Sequence, residues 1–119
     1  MSDRRIPPHN ADAEKSVLGG ILLRNNALNT IETLTPEDFY DPRHGEVFKA
    51  MRELDSRSRP IDPVTLEEQL NQAGKLAAVG GMSFLSDLVS GVPTADNIVH
   101  YAAIVTDKAL VRRMITVSS

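Results

Sequence analysis

Residues 6–23 read IPPHNADAEKSVLGGILL, an amphipathic helical pattern with two adjacent glycines, Gly19 and Gly20, in its middle. Ala13, Val17, Leu18, Ile21 and Leu22 recur at the spacing of a face turned toward a core. Asn10, behind Pro7 and Pro8, is placed to cap the helix. Asp12 and Glu14 fall in the first turn, where the helix dipole favours acids. Each interior glycine costs about 1 kcal/mol relative to alanine. The apolar stripe continues past the pair, so the glycines do not end the helix. Two missing β-carbons in one turn let another backbone approach closely, and Gly19 and Gly20 are read as a close-packing site. A phosphate cradle does not fit, because no lysine follows and the pair lies away from a helix N-terminus.

The same helical punctuation recurs downstream. Thr35-Pro36-Glu37-Asp38 sets a cap, a proline at the first helical position and two acids behind it. Asp41-Pro42 repeats the device before RHGEVFKAMRELDSR, and Asp62-Pro63 repeats it before VTLEEQLNQAG, where Gly74 supplies a stop. Gly80-Gly81 introduces MSFLSDLVSG, and Thr94 is placed to cap a last helix. No sustained period-two alternation occurs, and residues 76–79 are too short and alanine-rich for a strand. The expected fold is all-α: a compact bundle of about six helices, one of them short around residues 36–40, joined by loops of a few residues.

The final segment, TADNIVHYAAIVTDKALVRRMITVSS, is apolar on more than one flank. Ile98, Ala102, Val105 and Ala109 form one stripe; Ile104, Val111 and Ile115 form a second, with Tyr101 between them; Ala103, Leu110 and Met114 line a third. Two readings fit. Either this helix is central to the core, or one face serves the domain and another a partner subunit or a following helix. The helical pattern runs on to Ser119, which implies that a downstream segment has been removed.

Composition narrows the function. A chain of 119 residues, 41% hydrophobic and 24% charged, suits one soluble domain with one core. The net charge of −3 argues against a general nucleic-acid-binding surface. The absence of cysteine removes disulfides and thiolate metal sites. No apolar run approaches a membrane span and MSDRRIPP is not a signal peptide, so a cytoplasmic location is expected.

The search for catalytic groups finds none. There is no G-x-x-x-x-G-K-[ST] loop, since Gly74-Lys75-Leu76 lacks the hydroxyl. His9, His44 and His100 are isolated, and His44-Gly45-Glu46 lacks the second histidine of a zinc-protease helix. The pairs Asp12/Glu14, Glu37/Asp38 and Glu67/Glu68 lie at helix starts or on exposed faces, where the helix dipole accounts for them. Ser16 has no histidine at a suggestive spacing. Arg52, Arg57 and Arg59 sit in the mixed-charge stretch RELDSRSRPID, read as solvated surface. No catalytic, cofactor-binding or metal-ligating residue is identified.

The motifs taken together resemble the opening of bacterial replicative DNA helicases of the DnaB family. The resemblance rests on Ile6-Pro7-Pro8-His9-Asn10 with Ala13-Glu14-Lys15-Ser16-Val17-Leu18-Gly19-Gly20, and on Pro36-Glu37-Asp38-Phe39-Tyr40 with His44 and Val47-Phe48. It continues through Pro60-Ile61-Asp62 with Val64-Thr65-Leu66, and Gly80-Gly81-Met82-Ser83-Phe84-Leu85. Val92-Pro93-Thr94-Ala95-Asp96-Asn97, Tyr101-Ala102, Ile104-Val105 and Lys108-Ala109-Leu110-Val111-Arg112-Arg113 complete it. These blocks agree in order and spacing from residue 5 onward. One departure is Lys15, a cation where relatives often carry a neutral polar residue.

The resemblance implies much that the residues alone do not. Family members are ATP-driven hexameric rings that translocate 5′ to 3′ on single-stranded DNA. Their RecA-like motor domain, with its ATP and magnesium, would lie outside this chain, and most DNA contact would be made there. This chain would be the non-catalytic N-terminal domain: an N-terminal arm (residues 1–9, flexible), a helical collar domain (10–93) and the start of a dimerisation hairpin (94–119). The implied partners are other copies, as a trimer of dimers in the ring, the C-terminal domain of primase and, in some species, a helicase loader. Tyr101, Ile104, Val111 and Ile115 are the expected oligomer interface, and Asp12 and Phe84 the expected primase-facing surface. Two alternatives stand beside this one. A helical module guiding single-stranded DNA would need a basic groove with stacking aromatics. An unrelated small helical enzyme would need an activity of its own.

Overall fold

The computed structural model describes residues 6–91 and 94–118, with side chains described through Ile115 on the last helix. The described residues form six α-helices: α1 (Ala11–Leu23), α2 (Pro42–Ser56), α3 (Pro63–Gln72), α4 (Leu76–Val79), α5 (Gly81–Ser90) and α6 (Ile98–Ser118). Two 3-10 helices, Asn25–Thr30 and Pro36–Asp38, connect α1 to α2. The all-α expectation holds. Two elements were not expected, the 3-10 helix at Asn25–Thr30 and the single turn of α4, both too short to carry a helical period.

The caps act as the sequence indicates. Asn10 Oδ1 accepts from the Ala13 amide at 2.9 Å. At α3, Asp62 accepts from the Thr65 amide at 2.8 Å and Thr65 Oγ1 accepts from the Asp62 amide at 3.0 Å, a reciprocal box. Gly80 takes φ 109°, ending α4 and redirecting the chain into α5; this left-handed conformation suits glycine alone among common residues. Thr94 does not cap α6. Its hydroxyl accepts from the Asp96 amide at 3.1 Å within a turn, and the helix starts at Ile98, with the Asn97 carbonyl accepting from the Tyr101 amide.

α1 packs against both α5 and α6 and also meets α2, while α3 packs against α2 and α5. Val17, Leu18, Ile21, Phe48, Met51, Leu66, Leu70 and Leu85 form the fully enclosed core. Both glycines of α1 are buried. A β-carbon on Gly20 would stand 3.3 Å from Ile98 Cδ1 and 3.7 Å from Ala95 Cα, so the glycine permits α1 and the entry to α6 to meet closely. The stripe Ile98, Ala102, Val105 and Ala109 is buried, and the core therefore runs across position 94. Position 93, where the two expected segments join, lies outside the described residues, with Val92.

The described part of the N-terminal stretch contacts the domain. His9 stacks on Tyr40 with ring centroids 4.0 Å apart, and the Pro8 carbonyl accepts from Arg112 Nη1 at 2.9 Å. Arg52, expected on solvated surface, is half-buried and bonded within the domain. Its Nη2 donates to the carbonyls of Ile31 (2.9 Å) and Leu34 (3.0 Å), and its guanidinium lies 4.8 Å from the Phe48 ring centre. It ties the turn between the two 3-10 helices to α2.

Candidate partner-docking site

A groove of 480 Å³ opens where the start of α1, the start of α2 and α5 converge, lined by Asp12, Lys15, Ser16, Arg43, Phe84 and Asp87 among others. Asp12 and Lys15 project from the exposed side of α1, and Phe84 is half-buried on α5. The structure thus brings together Asp12 and Phe84, the two residues expected to face primase. Lys15 lies beside them, so its charge belongs to the same groove.

Behind Phe84 and Arg43 lies a buried polar network. Glu14 is 2% exposed and His44 fully buried, against the expectation of a surface acid and an isolated histidine. The Glu14 carboxylate accepts from the amides of Tyr40 (2.6 Å) and Asp41 (3.3 Å) and from His44 Nδ1 (2.7 Å). Three donors compensate its removal from water, as a buried carboxylate requires. A signal was legible: Glu14 shares a helical face with Leu18 and Ile21, and His44 shares one with Val47 and Phe48, so each occupies a core position of its helix.

Asp41 caps α2 by accepting from the Arg43 amide at 2.9 Å, and both its oxygens also accept from the Arg43 guanidinium, the shortest at 2.7 Å. The hydrogen bond from Arg43 holds the Asp41 carboxyl below the usual carboxylate value. Arg43 in turn lies 4.7 Å from the centre of the Phe84 ring. The His44 ring stacks on Phe84 at 5.8 Å between centroids, with planes 16° apart.

The candidate oligomer residues divide. Tyr101 and Ile104 are half-buried against the domain core, whereas Val111 and Ile115 are exposed. Leu110 and Met114, read from the sequence as part of a third apolar flank, are also large exposed apolar residues of this helix, as is Val99. Among the described residues no group of three or more His, Cys, Asp or Glu is placed to hold a metal. No described helix is long and apolar enough to cross a membrane.

Residues 6–107 match the family model of the DnaB-like helicase N-terminal domain, and the chain belongs to that family. Among individual proteins it is 45% identical over 112 residues to the replicative DNA helicase DnaC of Bacillus subtilis, covering 93% of this chain and 25% of that protein. The chain therefore spans about a quarter of that curated relative's length. It superimposes on the crystal structure of the N-terminal domain of DnaB helicase from Mycobacterium tuberculosis with a TM-score of 0.90 and 45% identity, covering 93% of this chain and 80% of that one. A DnaB-like replicative helicase, described with its interactions with primase, gives 0.81 at 26% identity, over 92% of this chain and 26% of that one.

Proposed function

We propose that this chain is a non-catalytic assembly and docking domain of a replicative DNA helicase, and that the Asp12–Phe84 groove receives primase through its C-terminal domain. The observation that carries the docking reading is the half-buried Phe84 ring on the wall of an open groove shared with Asp12. The interaction with primase named for one structural relative supports the choice of partner. The parent protein is then an ATP-dependent hexameric helicase acting 5′ to 3′ in DNA replication and primosome assembly in the cytoplasm. Its RecA-like domain holds ATP and magnesium and most of the DNA contacts, and helicase loaders are further partners in some species.

Self-association is assigned to α6. Val99, Leu110 and Val111 expose apolar surface along one helix, as a subunit contact requires. Tyr101 and Ile104 contribute from its partly covered flank, and Ile115 from its exposed end. In the ring this contact builds a trimer of dimers. A Leu110→Lys/Val111→Lys variant is expected to lose concentration-dependent association in sedimentation velocity; unchanged association would move the interface elsewhere.

The single-stranded-DNA alternative is disfavoured because Arg24, Arg43, Arg52 and Arg113 all donate to protein acceptors.

Calorimetric titration with the primase C-terminal domain tests the docking reading. Saturable binding is expected, weakened by Phe84→Ala or Asp12→Ala. Binding untouched by both substitutions would place the surface elsewhere. No binding by this chain or by the full-length ring would overturn the partner.

A further inference from the structure

We infer that the buried Glu14–His44 pair is a positioning device that sets the Phe84 ring for docking, an inference that rests on the groove being the docking surface.

The argument follows the contacts inward from Phe84. Two planar groups meet its ring, the His44 imidazole and the Arg43 guanidinium, and both come from consecutive positions at the start of α2. Glu14 controls both. It bonds His44 Nδ1 directly, which fixes the rotation of the imidazole about its Cβ–Cγ bond. It also accepts from the Asp41 amide, and Asp41 carries Arg43 on its carboxylate. One buried carboxylate on α1 therefore orients every planar group that touches Phe84 from α2.

His44 is an uneconomical choice for filling space alone. Its Nε2 is buried and finds no hydrogen-bond partner among the described residues; the nearest carboxylate oxygen, on Asp41, is 3.8 Å away. A leucine would occupy similar volume without leaving a polar nitrogen unbonded. What leucine cannot supply is a flat face held at 16° to the phenyl plane. Gly80 works to the same end from the other side of the turn. A β-carbon there would stand 3.0 Å from Phe84 Cβ, so its absence leaves room for the Phe84 side chain. A ring ordered before the encounter loses less freedom on binding, which favours affinity.

The test labels the chain with 4-fluorophenylalanine at Phe39, Phe48 and Phe84, assigns the Phe84 fluorine resonance by its loss in Phe84→Leu, and compares wild type with His44→Phe and His44→Leu. The primase titration is repeated on each unlabelled variant. His44→Phe restores a flat ring without the Glu14 bond; His44→Leu removes both. Positioning predicts a shifted, broadened Phe84 resonance and roughly tenfold weaker binding for the leucine variant, and a partial loss of both in the phenylalanine variant, whose flat face is no longer held by the Glu14 bond. A merely structural role predicts equal loss of thermal stability in both variants and an unchanged Phe84 resonance and affinity in each while folded. That outcome would overturn the inference. If the wild type does not bind primase, the docking reading fails, and the fluorine comparison still decides whether His44 positions the ring. His44→Met replaces the leucine variant if the latter does not fold.

Discussion

Asp38 and Arg113, 75 positions apart, are joined by a 2.5 Å hydrogen bond from Arg113 Nη2 to Asp38 Oδ1. The neighbouring Arg112 donates Nη2 to the Asp38 carbonyl at 2.6 Å and Nη1 to the Pro8 carbonyl at 2.9 Å. Two consecutive arginines thus latch the outer half of α6 to the 3-10 helix before α2 and to the N-terminal segment. Leu110, Val111 and Met114 beside this latch are exposed.

Replacing both arginines with alanine is expected to destabilise the domain by about 2 kcal/mol, as hydrogen bonds to a charged partner contribute. The loss should be local. Amide exchange should accelerate over residues 108–115 far more than over 98–105, where Ile98, Ala102 and Val105 anchor the helix in the core. Equal acceleration in both halves would show that the latch does not control the outer half separately.

Arg52 and Arg57 read alike in the sequence, and the structure separates them. Arg52→Met should cost about 2 kcal/mol, because two carbonyls at the turn lose their charged donor. Arg57 pairs with Glu53 at 3.3 Å on an exposed helix face, and Arg57→Ala should stay within about 0.5 kcal/mol. Urea denaturation of the two variants checks this, and a similar loss in both would contradict it.

Two helical glycines should respond in different ways to alanine. A β-carbon on Gly45 would lie 2.8 Å from the Pro36 carbonyl oxygen, a backbone atom that cannot turn aside. Gly45→Ala is expected to lose about 2 kcal/mol from this overpacking. At Gly20 the closest atom is the tip of the Ile98 side chain at 3.3 Å, which can yield. The gain in helix propensity of about 1 kcal/mol then offsets the crowding, and Gly20→Ala should be close to neutral. Thermal melts showing Gly20→Ala to be the worse of the two would refute the contact argument.

The lowered pKa of Asp41 predicts part of the acid response. Its reference value is 3.8, and the hydrogen bond from Arg43 depresses it in the folded state. The unfolded chain therefore binds the proton more readily as pH falls. The stabilisation is fully present above the unfolded value and is lost as pH drops through the depressed one. Asp41→Asn keeps a capping oxygen for the Arg43 amide but not the charge. Its stability should fall less steeply than that of wild type between about pH 5 and about pH 2. Parallel pH profiles from urea denaturation would show that this pair does not contribute.

The fold was readable from local rules because those rules act between near neighbours. The proline-led helix starts at Pro42 and Pro63, the cap at Asn10 and the buried stripes of α1 and α6 each need only a few successive residues. Thr94 was misread for the same reason. A threonine before an apolar run fits a cap, but its hydroxyl is used in a turn that delays the helix to Ile98. Asp12 and Phe84 were selected through a family resemblance, and their meeting in one groove is a fact of packing alone.

By itself, then, the sequence determined the six α-helices except for the single turn of α4, the caps that start α1, α2 and α3, and the membership of a helicase-domain family. Periodicity and capping are short-range, so each segment carries its own instructions. Only the tertiary structure decided that Glu14 is buried, that His44 is its partner, and that Arg52, Arg112 and Arg113 bond distant groups of the domain. Those polar pairs join residues 18 to 104 positions apart. A charged side chain follows no period that would reveal its distant partner, and the packing of apolar faces selects which polar groups meet.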